Sequence, residues 1–173
     1  MNHNELRDHT HQVNVDAGWW PEDRATRNRP EMLCLIGSEL IEAHTDGMQP
    51  DGHLPQYPAF HVEIADAAIR ILDMAGGDKI DLDAGEPTAV VGQPVFDLMS
   101  VLTLIVGHAL EGFRKTNLPV YHRSVADAYA TLFRIAEVYE FDLMEVINAK
   151  MAYNAQRADH KLENRMKEGG KKL

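Results

Sequence analysis

The sequence predicts an all-α fold, a single helical bundle of about five helices. Three observations carry that expectation. Apolar residues recur at three- and four-residue spacing, Ala, Leu and Met dominate the periodic segments, and no stretch alternates polar and apolar residues as a half-buried strand would. With 173 residues and 45% apolar content, the chain can bury a core without disulfides or a structural metal. Helices with apolar stripes solve their burial problem by packing on one another, which makes a bundle.

Residues 1–29 read as an N-terminal arm, polar and punctuated by Gly18 and Pro21, irregular or partly helical, with the adjacent pair Trp19 and Trp20. Residues 30–173 read as one domain. Its first helix spans about 30–46, with Pro30 suited to the first helical turn. The stretch "DGMQPDGHLPQYP" is dense in Gly, Pro and Asp and marks a loop. A second helix is expected over 59–74, closed by "AGG". Residues 76–94 have no period and hold Gly85, Pro87 and Gly92, so they read as a long connection. Three further helical patterns cover about 95–115, 122–139 and 142–167, and the tail "ENRMKEGGKKL" reads as frayed and solvated.

The formal net charge of -10 argues against binding to nucleic acid polymers or anionic lipid. A phosphorylated small molecule stays compatible with that charge if divalent cations mediate the contact. The most apolar stretch, 95–113, is interrupted by Asp97, His108 and Glu111, and the N-terminus lacks the basic-then-apolar order of a signal peptide. The expectation is a soluble, cytoplasmic protein with no membrane partner. Cys34 is the only cysteine, which excludes an internal disulfide and a cysteine-built zinc site, and its apolar neighbours suggest a core position. The histidines show no H-E-x-x-H, and His108 within the most apolar helix reads as a core residue.

The chemistry concentrates on two acidic stripes. Glu39 and Glu42 share one face of the first helix, joined by Asp46 a turn later. Glu63, Asp66, Arg70 and Asp73 share one face of the second, flanked by Val62, Ala65, Ile69 and Leu72. Each stripe could be an ordinary solvated face. Against that, both helices are apolar over most of their circumference, and no lysine stands at i+4 from Glu39, Glu42, Glu63 or Asp66 to relieve the repulsion. Four carboxylates without basic partners suit a hard cation, magnesium or manganese, and offer no soft ligand.

A basic stripe follows late in the chain. Lys150, Asn154, Arg157 and Lys161 fall at i, i+4, i+7 and i+11, a pattern that is either the solvated side of the last helix or a set of phosphate ligands. Trp19 and Trp20 offer flat rings that either cap the core or stack on a nucleobase.

The ordered set "GWW", "LIGSELIEA", "VEIADAAIRILD" and "KMAYNAQR" resembles the MazG-like all-α nucleoside triphosphate pyrophosphohydrolases. That resemblance implies Glu39, Glu42, Glu63 and Asp66 as metal ligands and catalytic carboxylates. It implies Trp19, Trp20, Arg70, Lys150, Asn154 and Arg157 as substrate-binding residues. The implied cofactor is magnesium, with manganese as a substitute and two or more ions allowed per site. The implied reaction is hydrolysis of a nucleoside triphosphate to the monophosphate and pyrophosphate, in a homodimer or homotetramer. The apolar helix over 95–115 also asks for more cover than one small bundle offers. A non-enzymatic helical module binding a nucleotide, a metal or a partner protein is the alternative from a different class.

Overall fold

The computed structural model describes residues 2–165 and is helical, with no strand among them. Six helices build it: α1 (His3–Asp16), α2 (Arg29–Asp46), α3 (Ala59–Asp78), α4 (Pro94–Arg114), α5 (Leu118–Val138) and α6 (Leu143–Gln156). The all-α expectation holds. The arm is partly helical, one of the two forms expected of it: a helix over His3–Asp16 is followed by turns up to Asn28. Asn2 accepts a hydrogen bond from the Glu5 amide while the Glu5 carboxylate accepts one from the Asn2 amide, a capping box that starts a fourteen-residue helix packed along α3.

Helix α3 is the axis of the bundle. Val62, Ile64, Ala65, Ala67, Ala68, Ile71, Leu72, Met74 and Ala75 are fully buried, because α1, α2, α5 and α6 all pack on it. The "AGG" expected to end it lies inside it: α3 runs through Gly76 and Gly77 to Asp78, and Lys79 in the left-handed conformation closes it. The glycines are there for approach. A Cβ on Gly76 would sit 2.3 Å from the Cβ of His11, and one on Gly77 would sit 2.3 Å from the Trp20 ring.

Other boundaries move less. α2 starts behind the Asn28 cap with Pro30 in its first turn and stops at Gly47. The loop to α3 folds on Asp51, whose Oδ1 accepts from the amides of His53 and Leu54. α5 begins at Leu118 rather than near 122, capped by Asn117. α6 ends at Gln156, where Arg157 turns extended, so Lys161 is not on the same helix face as Lys150. The expected helical stretch beyond Arg165 lies outside the described residues.

Helix α4 carries a π-helical turn, Thr103–Ala109, and packs one side on α2 and α5. It is long and apolar enough to cross a membrane, with a mean hydropathy of 1.5 over its most apolar window, and 39% of that window is buried. Its other side leaves Val95, Phe96, Met99 and Val106 exposed. His108 and Cys34, both expected in the core, are exposed. Neighbours one position away in a helix point about 100° aside, so an apolar sequence context does not fix the face.

Candidate metal and phosphate site

α2 and α3 bring Glu39, Glu63 and Asp66 together, with one carboxylate oxygen from each within 4.8 Å of the others. Glu39 and Glu63 are buried and Asp66 is half-buried. Glu42 lies outside this group and is exposed, although its charge acts on Glu39.

The carboxylates are not without basic partners, contrary to the sequence expectation. Arg70 holds Glu39 Oε1 through Nε and Nη2, each at 2.6 Å. Lys150, only 3% exposed, reaches across from α6 to Asp66 Oδ2 at 2.8 Å. Arg70 was legible on the α3 stripe itself, whereas Lys150 required the packing of α6 on α3.

Burial, a hydrogen bond to Glu39 and the charge of Asp66 push Glu63 up to about 8. Burial also raises Glu39, opposed by Arg70 and reinforced by Asp66. Desolvation alone would lower the Lys150 ammonium, but Asp66 and Glu63 outweigh it and hold it charged. Glu39 and Glu63 therefore share a proton near neutral pH. Burial raises Asp66 as well, opposed by Lys150 and Arg70 and reinforced by Asp51. A metal bound by Glu39 and Glu63 would have to displace the proton they share.

The sign of the resulting pH dependence follows from Glu63. Its pKa in the fold is above the ordinary 4.5, so its protonation contributes stability that is complete below that value and lost as pH rises through about 8. Without divalent metal, the protein should melt lower at about pH 8.5 than at about pH 6, and Glu63→Gln should flatten that slope. A wild-type melting temperature that holds or rises over the same range would count against the shared proton.

Next to the cluster, Arg27, Arg70, Lys150, Arg157, Asn154 and Trp19 line a cleft of about 190 Å³ that also exposes Asp66. Arg157, just past the end of α6, is tethered to Asp159 through two hydrogen bonds of 3.0 and 2.7 Å. The structure thus brings Trp19, Arg70, Lys150, Asn154 and Arg157 to one cleft. Trp20 it does not. That ring is 7% exposed, donates from Nε1 to Asp73 at 2.8 Å, meets His11 edge-on and lies under the guanidinium groups of Arg27 and Arg29. Trp20 is a core residue that locks α1, α2 and α3.

Two residues that sequence reasoning missed belong here. Arg27 lines the cleft from the segment before α2. Asp51 is buried in the loop before α3, and its charge acts on both Asp66 and Lys150. Its Asp-Gly pair signalled a turn, but nothing in the spacing placed that turn beside the carboxylates. Comparisons of the chain with family profiles, curated proteins and solved structures find no match.

Proposed function

We propose that the protein is a magnesium- or manganese-dependent nucleoside triphosphate pyrophosphohydrolase, converting a nucleotide, preferentially a deoxynucleotide, and water to the monophosphate and pyrophosphate. The observation that carries this is the juxtaposition of three carboxylates with a cleft walled by four cationic side chains, Arg27, Arg70, Lys150 and Arg157, in a protein of net charge -10. The likeness of the acidic and basic motifs to the MazG-like enzymes points the same way.

Oxygen donors alone, with no sulfur or imidazole among them, fit a hard divalent cation, and Glu39, Glu63 and Asp66 would hold it. Such an ion supplies neutralisation of phosphate charge and a more acidic water. The chain's own groups supply the rest. Arg157, Lys150 and Arg70 offer charge to phosphate oxygens once Asp159, Asp66 and Glu39, the carboxylates they pair with, are otherwise engaged. Glu63, whose carboxyl burial pushes up to about 8, becomes a carboxylate able to take the proton of the attacking water once a bound metal has displaced its own proton. The exposed apolar side of α4 suits a homodimer or homotetramer.

A panel of deoxy- and ribonucleoside triphosphates with magnesium, with products separated by ion exchange, tests this reading. Equal amounts of monophosphate and pyrophosphate are expected. Diphosphate with orthophosphate would reject the assigned bond, and no turnover would leave a binding module.

The two tryptophans should separate in function. Trp20→Ala should cost about 3–5 kcal/mol of stability and lose activity only through unfolding. Trp19→Ala should melt almost normally and weaken nucleotide binding by about 1–3 kcal/mol, visible as a raised KM. Normal nucleotide binding in Trp19→Ala would remove that ring from the site.

A further inference from the structure

A chamber of about 760 Å³ lies among α1, α3 and α6, beside the phosphate cleft. The two share a wall, since Asn14, Trp19, Ile69, Asn154, Arg157 and His160 line both. Their chemistry differs along the length. Asp66, Arg70 and Lys150 belong to the cleft alone, whereas the chamber adds Val13, Ala17 and Met151. A ligand with a charged end and a flat, less polar end fits this gradient.

Where cleft and chamber meet, two carboxamides stand on different helices. Asn154 Oδ1 is shut off from solvent and has no hydrogen-bond partner among the described residues. The Asn14 side chain also makes no hydrogen bond there, although its backbone carbonyl accepts from the Trp19 amide. Other polar groups nearby are committed: the Thr10 hydroxyl faces Met151 Sδ at 3.8 Å, Asp16 accepts from Gln12, and Arg157 is tied to Asp159. A shielded acceptor without a partner is costly unless something else supplies the donor.

A carboxamide sets one donor and one acceptor side by side, which is the arrangement that pairs with a nucleobase edge. Asn154 stands one helical turn from Lys150, at the phosphate end. Asn14 stands on α1, which takes no part in the carboxylate cluster and provides the apolar Val13 beside it.

We propose that Asn14 is the base-reading residue, with the nucleobase in the chamber against α1 and the sugar at Asn154. This rests on the nucleotide reading of the adjoining cleft. The N-terminal helix is then what sets substrate choice, and the carboxylate cluster is indifferent to the base.

Steady-state kinetics over the four deoxynucleoside triphosphates with magnesium, for wild type, Asn14→Ala and Asn14→Asp, test it. The wild type should prefer some bases over others. Asn14→Ala should raise KM on the preferred nucleotide about five- to a hundredfold at similar kcat and compress the ratios between bases. Asn14→Asp is nearly isosteric but accepts only, so its preference should move toward guanine, whose N1–H and amino group present two donors. Inorganic tripolyphosphate, which has no base, should compete equally against all three proteins. Unchanged base ratios in both variants, or a wild type indifferent to the base, would overturn the role of Asn14 and leave the hydrolase reading standing. A wild type that neither binds nor turns over any nucleotide would overturn both.

Discussion

Asp66→Asn should cut nucleotide turnover by on the order of a thousandfold or more while the protein stays folded. The side chain is the one carboxylate of the cluster that faces both the carboxylate group and the cationic cleft. Asparagine keeps its shape and leaves an oxygen for the Lys150 ammonium now 2.8 Å from Asp66 Oδ2, so the buried lysine is not stranded. The negative charge that would bind a divalent ion and offset Lys150 is lost. Removing the side chain altogether is a different experiment. Asp66→Ala leaves Lys150 buried without its direct partner, a change that costs about 3–5 kcal/mol and confuses unfolding with inactivation. The check is monophosphate production per folded protein, with melting measured in parallel. Unimpaired turnover in Asp66→Asn would remove Asp66 from the site.

Gly76→Ala should be among the most damaging small substitutions in the chain. The added Cβ would fall 2.3 Å from His11 Cβ, 2.9 Å from its Cγ and 3.0 Å from the Arg7 carbonyl oxygen, so α1 must move off α3. His11 cannot swing clear, because its ring is held by Asp73 at 3.1 Å and packed on Trp20. Overpacking of this kind costs about 1–3 kcal/mol, and the upper end is expected here. The functional consequence follows from the same geometry, because α1 provides a wall of the chamber beside the cationic cleft. Gly52→Ala is the control, since nothing lies within 4 Å of a Cβ at that position. Chemical denaturation of both variants decides it: equal stability would show that the α1–α3 approach is looser than these distances.

The helices that carry the carboxylates were legible because their signals are local. Pro30, the Asp-Gly turn and the Gly/Pro-rich loop bound α2 and α3, and i, i+3 spacing puts Glu39 on one stripe and Glu63 with Asp66 on another. What spacing could not say is which members of a stripe turn inward. Glu42 has the same periodicity as Glu39 and is exposed. The first helix was expected only as part of an irregular or partly helical arm, without bounds, because its buried side includes Arg7, Thr10 and His11 along with Leu6, held by hydrogen bonds to α3 and the segment after it rather than by an apolar stripe. Its capping pair, Asn2 and Glu5, was the available signal. The end of α6 had no signal at all, since neither Gly nor Pro stands between Lys150 and Lys161. Long-range pairings such as Lys150 with Asp66 and the placement of Asp51 depend on how helices dock, and no local pattern encodes them.

The most direct test of the claim that a divalent ion takes the place of the shared proton is calorimetric titration of manganese into the metal-free protein, repeated in two buffers of different ionisation enthalpy. Binding should release a proton below about pH 8 and tighten as pH rises toward that value, and Asp66→Asn should abolish it. Absence of binding, or binding that releases no proton and survives in Asp66→Asn, would contradict a metal site at Glu39, Glu63 and Asp66.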